Sequence, residues 1–317
     1  MDIKKVVVAG GGVLGSQIAF QTAYSGYDVT IWLRSEGSIG RCRPKLDRLR
    51  DTYLATLDAM AANPAAPGAY AYGLMPREDA TPETCEAAKE RVKAAYKGIK
   101  LVLDYEEAFR DADLVIESIA ENPQEKIAFY TEIAKHLPAH AIVCTNSSTM
   151  LPSTFAAYTG CPERYLALHF ANSIWKNPLA EVMPHAGTDM ANLAEVMKFA
   201  ASIRMIPVKV LKEQPGYLLN SMLVPFLISA ESLLAGGIGD VADIDMAWKL
   251  GTGAPLGPFQ ILDIVGLTTA YNITAMAAAK DPENKAIAAS ATMLKAKVDA
   301  GETGVNAGKG FYEYPAK

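Results

Sequence analysis

A glycine-rich turn between a short apolar run and a helical pattern constrains this chain more than any other feature. Residues 5–9 read KVVVA, and Gly10, Gly12 and Gly15 follow at the spacing G-x-G-x-x-G. The first glycine permits a tight turn, the second lets a pyrophosphate approach the backbone, and the third lets the helix pack closely on the strand. The start of the helix adds unpaired N–H groups and a partial positive charge. The pattern predicts a dinucleotide-binding strand, turn and helix.

The residues after the turn support this interpretation. Small or apolar residues recur on one face of the predicted helix, Gly26 stands where a helix C-cap is expected, and residues 29–33 form a second strand pattern. A plain structural turn is the alternative, because glycine occurs wherever a chain bends sharply. The context favours dinucleotide binding.

Composition and charge exclude several classes of function. Half of the 317 residues are hydrophobic, 21% are charged, and the net charge is -5. This balance is ordinary for a globular protein of two domains, and without a basic stripe it argues against a nucleic-acid partner. The four cysteines form no C-x-x-C pair and no zinc-type spacing, so we expect free thiols and no metal. We find no signal sequence or membrane-length apolar run, and expect a soluble, cytoplasmic protein without a membrane partner.

Strand and helix patterns alternate through the first two thirds of the chain. Two long helical patterns at about residues 36–98 interrupt this alternation as an insertion, and strand patterns then resume up to residue 210. The alternation predicts an α/β fold, a Rossmann-type doubly wound and mostly parallel sheet with helices on both faces. The insertion is either a solvated arm or a wall over a cleft, and the sequence leaves both open.

The pattern changes at residues 212–216. Beyond this turn almost every segment is helical, and the first helix has a broad apolar face that includes Met222 and Phe226. We expect residues 1–211 to form the dinucleotide-binding domain and residues 212–317 an all-α domain. A helix this apolar often packs against a partner subunit, so we also expect a homodimer.

One histidine stands where a dehydrogenase needs a proton donor or acceptor. His169 ends an apolar strand pattern, at the sheet edge where ligands bind, and Glu181 begins the next short strand pattern. If the two strand ends are neighbours, the carboxylate can fix the imidazole tautomer and stabilise the imidazolium. The other histidines, in helix-end or loop contexts, are better explained as structural: His136, His140 and His185.

Two further polar features are candidates for the site: the run NSST after a predicted strand, and an asparagine in the first helix of the second domain. Residues 146–149, NSST, follow a strand pattern, and their hydroxyl and amide groups can donate to a carbonyl oxygen, although such a run is also typical of a helix cap. Asn220 interrupts the apolar face of the first helix in the second domain. A polar residue there needs a partner in the core or in a cleft.

In combination, these motifs resemble the 3-hydroxyacyl-CoA dehydrogenase family. GGGVLG, ENPQEK, NSST, HFAN, a glutamate twelve residues after the histidine, PGYLLNSMLVP and GKGFYEY occur in the family's order along nearly the whole chain. The sequence is most similar to the bacterial branch that includes 3-hydroxybutyryl-CoA dehydrogenase and diketoreductase-like enzymes. The resemblance implies hydride transfer between a nicotinamide cofactor, NAD or NADP, and C3 of a 3-hydroxyacyl-CoA or 3-ketoacyl-CoA.

The resemblance also implies roles for individual residues. His169 corresponds to the general acid/base and Glu181 to its orienting partner, while Ser148 and Asn220 correspond to the residues that hydrogen-bond the substrate oxygen. The resemblance implies cofactor contacts for Gly10, Gly12, Gly15, Glu121, Lys126, Ser148 and Asn172. Val13 and Leu14 in the loop, and Leu33, Arg34 and Ser35 at the end of the second strand, are expected to contact the cofactor as well.

The sequence departs from the family where the second strand ends. Leu33 replaces the usual ribose-binding aspartate, and Arg34 and Ser35 follow it. Losing the carboxylate removes a repulsion against a 2′-phosphate, and Arg34 can pair with one, which predicts that NADP is accepted. The alternative is that Arg34 points to solvent beside the adenine.

Two more departures concern the substrate, and they leave other functions open. Trp175 and Lys176 replace smaller apolar residues after His169, and Asn306 replaces a lysine near the C-terminus. Together with a poor match to the family's CoA-contacting positions, they favour a reductase of free diketo esters or of hydroxy or sugar acids as the alternative. A noncatalytic dinucleotide-binding protein of the crystallin kind is a further alternative, but retention of the four implied catalytic residues argues against it.

Overall fold

A computed structural model describes residues 2–315, and contacts divide the chain into two compact units, Met1–Leu218 and Leu219–Lys317. The strands of the first unit are β1 Lys5–Ala9, β2 Asp28–Trp32, β3 Lys100–Val102, β4 Leu114–Glu117, β5 Ile142–Thr145, β6 Tyr165–Phe170, β7 Leu179–Met183 and β8 Ile206–Lys209. Its helices are α1 Val13–Tyr24, α2 Glu36–Ala62, α3 Pro82–Gly98, α4 Tyr105–Phe109, α5 Pro123–Ile133 and α6 Met190–Ser202.

The eight strands form one sheet in the order β3-β2-β1-β4-β5-β6-β7-β8. Every residue of β4, β5 and β6 is buried, which explains their continuous apolar sequences, because a sheet covered on both faces has no polar side. Strands β2 and β3 lie on one side of β1, and β4 to β8 lie on the other side. Because the strand order reverses between β1 and β4, a crevice opens at the carboxyl ends of these two strands. The predicted α/β fold with a mostly parallel sheet is confirmed.

The pairing of β6 with β7 is antiparallel, within a sheet whose other pairings are parallel. The chain turns back through residues 171–178, and β7 returns beside β6 with His169 opposite Glu181. This reversal brings two side chains from the end of one strand and the middle of the next into direct opposition.

The helices between β2 and β3 pack on the first unit rather than projecting from it. Buried residues on one face of α2 include Leu46, Leu49, Tyr53 and Leu57, and they belong to the same apolar core as the sheet. The Tyr53 ring contacts the ring of Phe20 in α1, at 4.9 Å between centroids. The insertion is therefore a packed layer of the first unit and not a solvated arm.

The second unit is all helical within the described residues. Its helices are α7 Leu219–Ala235, α8 Val241–Thr252, α9 Pro258–Val265, α10 Leu267–Lys280 and α11 Lys285–Asp299. Buried Asp263 on α9 anchors the C-terminal segment, because its carboxylate accepts the backbone N–H groups of Phe311 and Tyr312 and the hydroxyl of Tyr314. Among residues 2–315 no single helix is long and apolar enough to cross a membrane; only α9 and α10 together, bent by 105°, reach that length and composition.

Candidate active site

His169 and Glu181 form a buried hydrogen-bonded pair. The imidazole Nδ1 lies 3.0 Å from Glu181 Oε2, and the two residues are only 5% and 1% exposed. The other carboxylate oxygen of Glu181 accepts the backbone N–H of Leu218 at 2.9 Å. Because a carboxylate only accepts, Nδ1 carries the proton and donates it to Glu181, which leaves Nε2 to exchange a proton with another group. The predicted proximity of these two residues is present.

Ser148 lies on the other side of the imidazole. Its hydroxyl oxygen is 3.1 Å from His169 Nε2. Glu121 holds the turn that carries it, because one carboxylate oxygen accepts the backbone N–H of Ser148 at 2.9 Å and the other accepts the hydroxyl of Ser147 at 2.7 Å. In this arrangement Glu121 orients the hydroxyl that faces His169.

Asn146 connects the ends of three strands. Its side-chain oxygen accepts the backbone N–H of Phe170 at 3.1 Å, and its amide nitrogen donates to the hydroxyl of Ser118 at 3.4 Å. The residue is buried, so these contacts fix the end of β5 against the ends of β6 and β4. Of the NSST residues, Asn146 joins strand ends and Ser148 faces the imidazole of His169.

Tyr217, which was not among the residues predicted from the sequence, lies against His169. Its ring stacks on the imidazole of His169, with 4.4 Å between centroids and 11° between planes, and its hydroxyl donates to the carbonyl oxygen of Ser147 at 2.7 Å. Burial, followed by the negative charges of Glu121 and Glu181, raises the pKa of this hydroxyl well above its usual value, so it remains a donor. The available signal was the sequence PGY directly before the second unit.

A second buried network lies at the end of β4. Glu117, 0% exposed, pairs with the ammonium of Lys126 at 2.6 Å and accepts the hydroxyls of Tyr130 and Thr145 at 2.7 and 2.8 Å. Lys126 itself is 1% exposed. Lys126 is held by Glu117 beside the end of β4, and the cofactor contact that the resemblance implies for it stays a prediction. The carboxylate of Glu117 compensates the positive charge of the Lys126 ammonium.

The three glycines of the loop meet different steric conditions. Gly10 has a φ of +114°, and an added Cβ would collide with the carbonyl oxygen of Ser118. A Cβ on Gly15 would collide with the carbonyl oxygen of Gly10, whereas one on Gly12 would have no neighbour within 4 Å. The first and third glycines are thus required by packing, and the second leaves open space before the unpaired N–H groups of α1. A pyrophosphate fits this space.

A cavity of about 650 Å³ continues from the glycine loop along the end of β2. It is lined by loop residues, by Leu33 and Arg34, and by Ser38, Arg41 and Lys45 of α2. The guanidinium of Arg34 pairs with the carboxylate of Glu125 at 3.0 Å. Ser35 caps α2, since its hydroxyl accepts the backbone N–H of Ser38. The size and the loop fit the adenosine half of a dinucleotide.

The remaining implied cofactor residues differ in their surroundings. Val13 is exposed at the start of α1, whereas Leu14 packs against the core of the first unit. Asn172 is exposed, and its carbonyl accepts the side-chain amide of Asn177 at 2.7 Å. Asn220 lies at the start of α7 in the second unit.

Trp175 and Lys176, which depart from the family pattern after His169, both contact the inserted segment. Trp175 is 9% exposed, its ring packs against Tyr53 at 5.5 Å, and its carbonyl accepts the backbone N–H of Gly73 at 2.8 Å. Lys176 donates to the carbonyl of Gly68. These residues fasten the loop after His169 to the inserted segment. Among residues 2–315, no three His, Cys, Asp or Glu side chains are arranged to hold a metal ion.

Comparison with known proteins covers both units. Residues 5–214 match the family described as 3-hydroxyacyl-CoA dehydrogenase, NAD binding domain, and residues 216–314 match 3-hydroxyacyl-CoA dehydrogenase, C-terminal domain. The mitochondrial hydroxyacyl-coenzyme A dehydrogenase of Sus scrofa is 30% identical over 312 residues, which cover 98% of this chain and 91% of the relative.

Solved structures of similar proteins have the same architecture. A diketoreductase, described as catalysing dual reactions of dicarbonyl compounds, has 40% identity and a TM-score of 0.84, with 99% of this chain and 100% of that chain covered. The (S)-3-hydroxybutyryl-CoA dehydrogenase of Ralstonia eutropha has 24% identity and a TM-score of 0.76, with coverages of 99% and 100%, and supports the fold.

Proposed function

The chain belongs to the 3-hydroxyacyl-CoA dehydrogenase family, and on that premise we propose that it transfers a hydride between a nicotinamide and C3 of a 3-hydroxyacyl-CoA or 3-ketoacyl-CoA. Members of this family are NAD-dependent oxidoreductases acting on CH–OH groups, and this chain has the family's dinucleotide-binding domain. The observation that carries the proposal is the line of groups from Glu181 through His169 to Ser148. Such a line can move a proton to and from one oxygen atom.

We assign the proton transfer to His169. In reduction, the protonated imidazole gives the proton on Nε2 to the substrate oxygen; in oxidation, the neutral ring removes that proton. Glu181 holds the Nδ1 proton in both states and stabilises the positive charge on the ring. The bound nicotinamide supplies or accepts the hydride at the carbon.

Ser148 is the residue we assign to hold the substrate oxygen. Its hydroxyl lies 3.1 Å from His169 Nε2, so an oxygen atom that contacts both groups would receive two hydrogen bonds as its charge develops. For Asn220 we retain the role that the family resemblance implies, a further hydrogen bond to the same oxygen.

We assign cofactor binding to the first unit. Gly10, Gly12 and Gly15 provide the pyrophosphate loop, and the cavity beside Leu33 and Arg34 receives the adenosine. Glu121 orients Ser148, and we retain for Glu121, Lys126 and Asn172 the cofactor contacts that the family resemblance implies. We divide the chain functionally at residues 211–212, with cofactor binding before this point and the helical domain after it.

The second candidate function is reduction of a free dicarbonyl compound. It is favoured by the 40% identity to the diketoreductase, which exceeds the 30% identity to the porcine hydroxyacyl-CoA dehydrogenase. The same proton transfer serves both reactions, so the two differ in whether CoA is required. Comparing kcat/KM for acetoacetyl-CoA and for a free β,δ-diketo ester separates them.

We also propose a homodimer formed through the second unit. Its apolar side chains that are more than half exposed are Met222, Ile238, Leu250, Ile264 and Met276. A second copy of this chain is the occupant that would cover them, because monomers rarely expose so much apolar surface. Light scattering after size exclusion should give twice the 33.9 kDa chain mass, and a stable monomer at micromolar concentration would contradict this.

Four buried free cysteines support a reducing compartment, and we propose that the protein is located in the cytoplasm.

The central test replaces His169 with alanine and follows the reduced nicotinamide by absorbance. We expect turnover to fall by at least ~10²-fold while dinucleotide binding is retained, because the proton donor is lost but the glycine loop is unchanged. His140→Ala is the matched control, since this histidine is half exposed and pairs with Asp113. If His169→Ala keeps most of the wild-type activity, the assignment is wrong.

A further inference from the structure

The end of β2 offers a dinucleotide no carboxylate. A ribose is usually held there by an acidic side chain that accepts its two hydroxyls. Here the position is Leu33, which is buried, and an added Cβ on the neighbouring loop residue Gly11 would collide with its side chain and with Cys42. The contact of the Leu33 side chain with Gly11 and Cys42 fills the position from which a ribose-binding carboxylate would project.

Basic side chains line the cavity at this point instead. Arg34 follows β2, and Arg41 and Lys45 project from α2 into the same cavity as the glycine loop. The acidic residues that line the cavity are Glu125 and Glu132 on the α5 side. Because Glu125 is paired with Arg34, the ammonium of Lys45 and the guanidinium of Arg41 give this end of the cavity excess positive charge.

The guanidinium of Arg41 lines the cavity and can bind an anion there. Its Nη2 donates to the hydroxyl of Ser38 at 2.9 Å, and that hydroxyl lies 3.0 Å from the hydroxyl of Ser35. In the described part of the chain, Arg41 forms no salt bridge. The guanidinium of Arg41 and the hydroxyl of Ser38 are therefore adjacent groups that line the cavity, Ser35 supports Ser38 from the N-cap of α2, and no carboxylate pairs with the guanidinium among the described residues.

We propose that Ser38 and Arg41, with Ser35 supporting Ser38, form the binding site for the 2′-phosphate of NADP(H), so that the enzyme binds this cofactor more tightly than the unphosphorylated dinucleotide. A guanidinium binds a phosphate through two parallel hydrogen bonds, and serine hydroxyls complete the donor set. Lys45, whose ammonium donates to the carbonyl of Arg41, adds a second positive charge. The inference rests on the dinucleotide site proposed above, and it assigns the discriminating role to Arg41 rather than to Arg34, which is already paired.

The test measures binding without turnover. Nicotinamide fluorescence is titrated with NADPH and with NADH for the full-length wild type, for Arg41→Gln and for Arg43→Gln. Arg43 lies on the same helix, is exposed and does not line the cavity, so it is the matched control for a lost charge. Competition by 2′,5′-ADP and by 5′-AMP isolates the contribution of the extra phosphate.

We expect the wild type to bind NADPH at least tenfold more tightly than NADH. Arg41→Gln should weaken NADPH and 2′,5′-ADP binding by 10- to 100-fold and change NADH binding by less than twofold, while Arg43→Gln should change neither. Equal wild-type affinities, or an unchanged NADPH affinity in Arg41→Gln, would overturn the 2′-phosphate site and leave the reaction intact. Failure of both dinucleotides to bind would instead overturn the proposed function.

Discussion

His169 and Glu181 occupy directly opposed positions of the antiparallel pair β6 and β7, with Nδ1 and Oε2 3.0 Å apart. Opposed residues in such a pair have Cβ atoms about 4.5–5.5 Å apart, so the main-chain register sets the distance between the two side chains. The Leu218 N–H and the Tyr217 ring then limit how the carboxylate and the imidazole can turn. The pair is held by the sheet on one side and by the segment after β8 on the other.

Replacing Glu181 with glutamine should lower kcat by about 10²- to 10⁴-fold. The amide is nearly the same size, but it carries no charge to stabilise the imidazolium and can present a donor to Nδ1, which favours the wrong tautomer. Dinucleotide affinity should change by less than about twofold. Steady-state kinetics and fluorescence titration measure the two effects. Glu90→Gln, at an exposed site paired with Lys93, is the control; activity within threefold of wild type would contradict the role of Glu181.

The contributions of the Tyr217 ring and of its hydroxyl can be separated by two substitutions. Tyr217→Phe keeps the ring on His169 but leaves the buried carbonyl of Ser147 without this donor, so we expect a loss of about 1–2 kcal/mol in unfolding free energy and a kcat within tenfold of wild type. Tyr217→Leu also removes the stacked ring and should lower kcat further. Urea unfolding and kinetics of both variants check this. Equal kcat values for the two variants would show that the ring does not position the imidazole.

The loop glycines predict opposite outcomes for the same substitution. Gly12→Ala should change the free energy of unfolding by less than about 1 kcal/mol, because φ is -67° and a Cβ there has no neighbour within 4 Å. It should weaken dinucleotide binding at least tenfold, since the methyl group occupies the phosphate space. Gly15→Ala should destabilise the fold by about 3 kcal/mol through the clash with Gly10. Thermal unfolding and binding titration separate the two, and a stable, fully binding Gly15→Ala protein would contradict this reasoning.

Glu231 makes the second unit sensitive to pH. The residue is 1% exposed, and burial raises its pKa from 4.5 to about 7, although a hydrogen bond from Thr274 lowers it in part. Between these two pH values the folded state holds a proton that the unfolded state has lost, so stability falls as pH rises, and the loss is complete above about pH 7. The full effect is on the order of 3 kcal/mol.

Glu231→Gln tests this, because glutamine keeps an oxygen for the Thr274 hydroxyl but cannot ionise. We expect the variant to be more stable than wild type at pH 8 and nearly equal to it at pH 5, as measured by chemical unfolding at both values. A constant difference between the two proteins across this range would show that Glu231 does not titrate as described.

The sequence predicted those parts of the molecule that depend on local patterns. The glycine spacing located the turn after β1, the alternation of patterns predicted the α/β sheet, and His169 was correctly expected near Glu181. What it could not predict depends on partners distant in the chain. Tyr217 contacts Ser147 at a separation of 70 residues, and Arg34 contacts Glu125 at a separation of 91.

Side-chain burial was the second feature that the sequence could not show. Trp175 and Lys126 stand in motifs near the predicted ligand sites, and both are buried. An aromatic ring beside a catalytic loop and a lysine in a helix have the same sequence signature whether they face a ligand or a core. Only the packing of Tyr53 and the charge of Glu117 distinguish the two outcomes.

Residues 171–178 connect the antiparallel strands β6 and β7, and they can vary without changing how these strands pair. Both ends of this segment are fixed by the strand pairing, so it can change in length or composition while the distance from His169 to Glu181 stays the same. The hydrogen bond from the Gly73 N–H to the Trp175 carbonyl also attaches it to the segment between α2 and α3. Changes in this segment can therefore alter the contacts of Asn172 and Trp175 while the register that places His169 opposite Glu181 stays the same.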